Sequence, residues 1–200
     1  MNRHSYNAIV KEWDAARSTL FSHETAFLDR LLINLQPPAK ILDLGCGTGR
    51  PIAEFLLRRG FRVTGVDQAE ELLSLARQRY PEGRWLQSSM ESFESDEDYD
   101  GAVIWDSLFH LPREHHENVL RKVVGSLRPG AKLMLTVGGS DHPAFTDTMY
   151  GHTFFYDSFT PEQTVLILQN LGASIESADF INPPTTGRDK GRYGIVASVA

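Results

Sequence analysis

Residues 41–49 read Ile-Leu-Asp-Leu-Gly-Cys-Gly-Thr-Gly, an apolar run that stops in three alternating glycines. Ile41 to Leu44 is short, apolar and β-compatible, bounded by Pro37 and Pro38 on one side and glycines on the other, which predicts a buried central strand. Gly45, Gly47 and Gly49 permit a tight turn and let a ligand approach backbone where a Cβ would clash. A helix is expected at once: Pro51 suits a first helical turn, and Ile52, Phe55 and Leu56 recur at helical spacing. Strand, glycine turn and helix together form the leading edge of a nucleotide-binding α/β unit.

The same alternation continues outward. Residues 5–18 predict an amphipathic helix with Tyr6, Ile9, Val10 and Trp13 on one side, and 24–35 a second with Phe27, Leu28, Leu31, Leu32 and Leu35, stopped by Pro37-Pro38. Downstream, helix 51–59 closes at Gly60, strand 61–66 leads to helix 69–79, and a short strand lies near Trp85 to Gln87. Strand 101–105 leads to helix 113–127, Arg128-Pro129-Gly130 makes a turn, and strand 132–137 follows. Strands separated by helices of this length require right-handed crossovers and a mostly parallel sheet. Thr160-Pro-Glu-Gln163 is a capping-box start for a last helix that ends at Gly172. Strands 174–181 and 192–199 are joined by too short a loop for a crossover, so they form an antiparallel pair.

The glycine spacing discriminates between ligands. Dinucleotide folds use G-x-G-x-x-G with the pyrophosphate on the helix N-terminus. Here the pattern is G-x-G-x-G, and Asp43 precedes its first glycine by two residues. A carboxylate there repels a pyrophosphate and suits a ligand with a positive amino group. The stretch Leu-Asp-Leu-Gly-Cys-Gly-Thr-Gly-Arg (42–50) resembles the class I S-adenosylmethionine-dependent methyltransferases, whose first motif is D/E-x-G-x-G-x-G, and it matches that motif at every position. The resemblance covers roughly residues 38–140. It implies a single Rossmann-like α/β domain with a seven-stranded sheet in the order 3-2-1-4-5-7-6, the last pair antiparallel, and helices on both faces. Residues 1–37 would then be an N-terminal helical lid, 38–140 the cofactor-binding core, and 141–200 an acceptor-side insertion with the C-terminal strand pair. S-adenosylmethionine is the implied cofactor and S-adenosylhomocysteine the product.

Asp43, Gly45, Cys46, Gly47 and Gly49 form the expected cofactor cradle, with Cys46 as a small packing residue rather than a nucleophile. Asp67, at the end of the second strand, can accept hydrogen bonds from ribose hydroxyls or cap helix 69–79, and Gln68 sits beside it. After the third strand the resembled family carries an Asp followed by a small or apolar residue that packs on adenine. Ser89 stands in place of that acid, and Met90 offers a soft surface for the ring or serves as core filler. Asp106 follows the fourth strand, where the resemblance implies a neighbour of the methionine moiety; the alternative is a turn or capping acid.

Methyl transfer from a sulfonium is one in-line displacement, so the protein mainly supplies positioning and a dry site. A base matters only if the acceptor must lose a proton. His110 is the candidate base, its rival reading being a packing histidine in the family's His-Leu pattern. Trp105, His110, Tyr150, Phe155 and Tyr156 are the candidate acceptor-site residues; the aromatic cluster, with His152 and Phe154, reads equally as core beneath a long loop. Tyr6 and Trp13 are either lid residues over the cofactor or surface packing.

With 200 residues the chain fits one domain with a proper core. The net charge of −6 and absence of a basic run argue against a nucleic-acid partner. The single cysteine excludes an internal disulfide and suits a reducing compartment. No basic-then-apolar leader and no membrane-length apolar run occur, so a soluble cytoplasmic protein acting on a small-molecule acceptor is expected. No H-E-x-x-H or paired-cysteine spacing occurs, so no metal is expected. Two other readings remain. One is a non-catalytic S-adenosylmethionine-binding protein, which Ser89 leaves open. The other is an NAD-dependent oxidoreductase, against which stand Asp43, the glycine spacing and the lack of a Tyr-x-x-x-Lys pair.

Overall fold

The computed structural model of the chain describes residues 2–186 and 189–200. In chain order the elements are α1 (Asn2–Ala8), α2 (Val10–Ala16), α3 (Ser22–Leu32), β1 (Lys40–Leu44), α4 (Ile52–Arg58), β2 (Arg62–Asp67), α5 (Glu70–Arg79), β3 (Arg84–Gln87) and β4 (Tyr99–Ile104). Then follow α6 (His116–Gly125), β5 (Leu127–Gly138), β6 (Phe145–Met149), β7 (His152–Tyr156), α7 (Pro161–Asn170), β8 (Ala173–Asn182) and β9 (Arg192–Val199). Seven strands make one sheet, ordered β3-β2-β1-β4-β5-β9-β8. The first five are parallel, while β9 is antiparallel to both β5 and β8. This is the Rossmann-like arrangement expected; the strand numbers rise at the end only because β6 and β7 pair with each other outside the sheet.

Strand periodicity sorts the core into two layers. Leu42, Leu44, Ala102, Ile104, Leu133 and Leu135 face Val119, Leu120 and Val123 of α6 and Leu168 of α7. Ile41, Val63, Val103 and Met134 point the other way, onto Phe27, Leu28 and Leu31 of α3, Ile52 and Leu56 of α4, and Leu73 of α5. Each such side chain contributes about 1.5–3 kcal/mol of burial, which is why an apolar run rather than an alternating one forms each central strand. Phe27 needs the bare backbone of β9: a Cβ on Gly194 would lie 2.5 Å from its ring.

Several boundaries differ from the sequence reading. The helix expected over 5–18 is two helices that part at Ile9 (φ −110°), and it starts at Asn2 because Asn2 is tied to distant residues. The helix expected over 24–35 runs from Ser22 to Leu32, its start fixed by the Glu24 carboxylate accepting the Phe21 N–H. It ends before the prolines, with Asn34 in the left-handed region (φ 69°). Arg128-Pro129-Gly130 does not separate two elements: Leu127 already pairs with Tyr99, and the register shifts before Gly101 pairs with Lys132. The segment expected to begin helix 113–127 opens as a 3₁₀ turn over Arg113–His115. His116, the first residue of α6, is buried, with Nε2 3.0 Å from the Leu111 carbonyl. The insertion after β5 is a hairpin, with Phe145 paired to Tyr156 and Met149 to His152. Within the loop over 182–191, Gly187 and Arg188 lie outside the described residues.

Candidate active site

The carboxyl ends of β1, β2 and β4 meet at one cleft. As β1 ends, the Gly45 and Cys46 N–H groups donate to the Val66 carbonyl of β2 at 2.7 and 3.1 Å. Gly45 (φ +89°) has no room for a side chain, since a Cβ would lie 2.4 Å from Ser107 Cβ and 2.9 Å from Met90 Cε. Gly47 differs: its added Cβ would meet only Trp13 Nε1, at 3.5 Å, so its backbone faces the cleft. Gly49 packs inward against Trp85 and Tyr80. Cys46 is buried and borders the cleft, and burial raises its thiol pKa, which keeps it a packing thiol rather than a nucleophile.

Three acids stand around the turn. Asp43 is 3% exposed, and its carboxylate makes no hydrogen bond or ion pair with a described residue. Burial, helped by the nearby Asp67 charge, raises its pKa to about 7. Asp67 accepts the Gly47 N–H (2.9 Å) on one oxygen and the Ala69 N–H (2.8 Å) on the other. Both bonds favour the carboxylate, but burial outweighs them and its pKa is raised. Asp67 thus ties the glycine turn to the start of α5, with lone pairs left toward the cleft. Asp106 has a left-handed backbone (φ 51°), donates its N–H to Thr136 Oγ1 (2.6 Å) and binds Arg192 Nη1 through Oδ2 (2.8 Å). Burial raises its pKa against the pull of Arg192.

The N-terminal helices supply the opposite wall with Tyr6, Trp13 and Arg17. Asn2 fastens α1 by exchanging bonds with Phe155, its Oδ1 accepting the Phe155 N–H (2.8 Å) and its Nδ2 donating to the Phe155 carbonyl (2.9 Å). Ser5 Oγ donates to the Thr153 carbonyl at 2.6 Å. The buried Glu24 holds Arg17 Nη2 (2.6 Å) and Trp105 Nε1 (3.0 Å), so both cleft residues share one anchor.

His110 borders the cleft with both ring nitrogens engaged. Nε2 lies 2.8 Å from the Tyr6 hydroxyl, and Nδ1 lies 2.7 Å from Asn2 Nδ2 and 3.1 Å from the Phe155 carbonyl. Either neutral tautomer finds partners: Nδ1–H donates to the Phe155 carbonyl while Nε2 accepts from Tyr6, or Nδ1 accepts from Asn2 Nδ2 while Nε2–H donates to the Tyr6 hydroxyl. Burial lowers its pKa to about 4. This is the environment of a neutral packing histidine and not of a base tuned to neutral pH.

Of the candidates for the two binding roles, Asp43, Gly45, Cys46, Gly47, Asp67, Gln68, Met90, Trp105, Asp106 and His110 border this cleft. Ser89 does not; its hydroxyl turns to Ser92 at 3.1 Å, while Ser88, Met90 and Glu91 face the cleft instead. Tyr150 is at the hairpin turn, 51% exposed and outside the cavities, because a two-residue turn projects its side chain away from the body. Phe155 touches the N-terminal segment through its backbone, and Tyr156 lines a neighbouring cavity. Sequence reasoning missed Arg17, Glu24, Glu91 and Arg192. Glu91 alone carried a local signal, as an acid two residues beyond Ser89. Among the described residues no His/Cys/Asp/Glu group could hold a metal, and no helix is long and apolar enough to cross a membrane.

The residues fit an aminoacyl nucleoside. Glu91 Oε2 is buried without a hydrogen-bond partner and borders the cleft, an acceptor suited to an exocyclic amino group. Asp43 is an unpaired buried anion suited to an ammonium, and Arg17 a cation suited to a carboxylate. Sheet order, glycine turn and acid-lined cleft together match the Rossmann-like fold seen in methyltransferases. Residues 41–130 match the family model described as a methyltransferase domain. A ubiquinone biosynthesis O-methyltransferase from Xanthomonas axonopodis is 25% identical over 86% of this chain and 79% of its own length. A trans-aconitate 2-methyltransferase from Rhodopseudomonas palustris is 32% identical over 62% of this chain and 49% of its own. Beyond the first of these, the chain spans about half the length of several curated relatives. A Methanosarcina mazei S-adenosylmethionine-dependent methyltransferase superposes with a TM-score of 0.73 at 23% identity, covering 90% of this chain and 98% of that one, a likeness of fold. Over residues 41–130 the chain therefore resembles the S-adenosylmethionine-dependent methyltransferases, and S-adenosylmethionine is the cofactor that this resemblance implies.

Proposed function

We propose that this protein transfers a methyl group from S-adenosylmethionine to a small-molecule acceptor by in-line displacement. The observation that carries the reading is Asp43, a buried carboxylate with no partner in the chain. An unpaired buried charge is costly, and a cationic aminoacyl group relieves that cost where a pyrophosphate would add to it. The cofactor supplies an electrophilic methyl carbon on a sulfonium leaving group. Asp43 then holds the ammonium, Arg17 the carboxylate, Asp67 the ribose hydroxyls, Glu91 the adenine amino group and Met90 the face of the ring. Tyr6 and Trp13 act as a lid that keeps water from the cleft, and the Asn2 and Ser5 bonds hold it shut. The curated relatives named for ubiquinone biosynthesis and trans-aconitate support a small acceptor.

Calorimetry with S-adenosylmethionine, S-adenosylhomocysteine and NAD tests the reading. Micromolar binding of the first two, weakened by about 1–3 kcal/mol in Asp67→Ala, is the expected result. Binding of NAD alone would overturn it.

A further inference from the structure

A second cavity, of about 510 Å³, lies across the Asp106–Arg192 pair from the cofactor cleft, with Asp106 on one side and Arg192 on the other. Its volume is in the range that holds small molecules. One wall is aromatic: Phe145 stacks on Tyr156 with centroids 5.3 Å apart and planes 17° apart, and Phe109 lies 6.1 Å from Tyr156 at 31°. Tyr156 also contacts the His110 ring at 4.9 Å, so this wall is continuous with the cofactor cleft.

The charges in the second cavity are unequally committed. Asp157 accepts the Arg113 N–H (2.7 Å) and Arg113 Nε (2.6 Å). Asp189 accepts from Gly191 N–H (2.9 Å) and from Asn182 Nδ2, and Asp147 accepts the Thr148 N–H (2.6 Å). Arg192 spends Nη1 on Asp106 and Nε on Asn182 Oδ1, while its Nη2 and the Lys190 ammonium donate to no described residue. The spare hydrogen-bonding capacity of the cations therefore awaits an anion.

Neither His110 nor Asp106, the two titratable groups where the cavities meet, is free to act as a base. His110 has both nitrogens occupied, and Asp106 is bound to a guanidinium. An acceptor that must be deprotonated is poorly served here; one that arrives ionised is not.

We propose that the second cavity is the methyl-acceptor site and that it takes a planar organic acid, methylated on its ionised oxygen. This inference rests on the function proposed above. The acid's ring lies against Phe109, Phe145 and Tyr156, and Arg192 and Lys190 hold the carboxylate end toward the cofactor cleft. An oxygen of the acceptor forms the new bond to the methyl carbon as the carbon–sulfur bond breaks. The bonding pair leaves on sulfur, the sulfonium and carboxylate charges cancel, and no proton moves.

The test is titration of the protein, saturated with S-adenosylhomocysteine, with three probes of one shape: trans-cinnamate, cinnamamide and cinnamylamine. Cinnamate should bind at least tenfold more tightly than the other two, and Lys190→Gln and Arg192→Gln should each remove most of that preference. Arg192→Gln also breaks the Asp106 pair; if it fails to fold, Lys190→Gln decides. Equal binding of amide or amine, an unchanged preference in Lys190→Gln, or no cinnamate binding to the homocysteine complex would overturn the proposal. Failure of S-adenosylhomocysteine itself to bind, read before any probe is added, would instead overturn the methyl-donor reading, and this proposal with it.

Discussion

Removing the Glu24 carboxylate should destabilise the fold and loosen the cofactor cleft together. Glu24 is fully buried and accepts from Arg17 Nη2 at 2.6 Å, Phe21 N–H at 2.8 Å and Trp105 Nε1 at 3.0 Å. Glu24→Ala strips all three acceptors and leaves Arg17, whose side chain is 13% exposed, without its anion. Breaking a buried ion pair on one side costs about 3–5 kcal/mol, and that is the loss expected. Summing three bonds to a charged group at about 1.5–3 kcal/mol each would overshoot, because groups sharing one partner are not additive. Glu24→Gln keeps the shape and one acceptor oxygen, so its loss should be near the cost of one charge-assisted bond, about 1.5–3 kcal/mol. A domain of this size has about 5–15 kcal/mol in total, so the glutamine variant should remain folded where the alanine variant becomes marginal. Urea unfolding followed by tryptophan fluorescence measures both. S-adenosylhomocysteine affinity should fall in Glu24→Gln as well, since Arg17 and Trp105 both face the cleft. A stability loss under about 1 kcal/mol in Glu24→Ala, the value of an exposed pair, would refute the argument that this site is dry.

Three further outcomes follow from the geometry. Asp43, raised to about 7 by burial and by Asp67, must ionise to hold an ammonium, so S-adenosylmethionine affinity should climb from pH 5.5 to 7 and level off above. Asp43→Asn should flatten that profile, and a flat profile in the unaltered protein would exclude the contact; in the free protein the sign reverses, with the Asp43 contribution to stability falling as pH rises from 3.8 through 7. His110 and His116 both sit near 4 in the folded state against 6.5 unfolded, so the unfolded chain binds more protons between those values. Their contribution is complete above pH 6.5 and lost as pH falls toward 4, and ring-proton NMR should find neither charged at pH 5.5; midpoints near 6.5 would contradict the burial argument. Gly45→Ala should cost about 1–2 kcal/mol for the left-handed backbone and about 1–3 more for the clash with Ser107, and denaturation within about 0.5 kcal/mol of the unaltered protein would show that the turn relaxes.

Local chemistry alone specified the central architecture. An apolar strand, three glycines and an amphipathic helix are contiguous in sequence, and their periods of 2 and 3.6 are visible without any partner. The same holds for Thr160, whose hydroxyl accepts the Gln163 N–H at 3.3 Å as a capping box, and for the antiparallel end of the sheet, imposed by a loop too short to cross over. The positions of Asp43 and Asp67 were legible for the same reason, since Asp43 is the penultimate residue of β1 and Asp67 the last of β2, at the carboxyl edge of the sheet.

Tertiary closure decided the rest. The β6–β7 hairpin sets Phe145 and Met149 among Thr146, Asp147 and Thr148, so its first strand carries no apolar run to announce it. Glu91 rather than Ser89 faces the cleft because the local turn aims the serine at Ser92. His110 became a locked neutral ring only when Asn2 and Tyr6 arrived from more than a hundred residues away. Asp106, just after β4, met Arg192 of β9, two strands over in the sheet and 86 residues on in the chain. Side-chain period and turn chemistry are properties of neighbours in sequence. A pairing between distant charges, and the division of one sheet edge into a cofactor cleft and a second cavity, exist only once burial has brought those strands together.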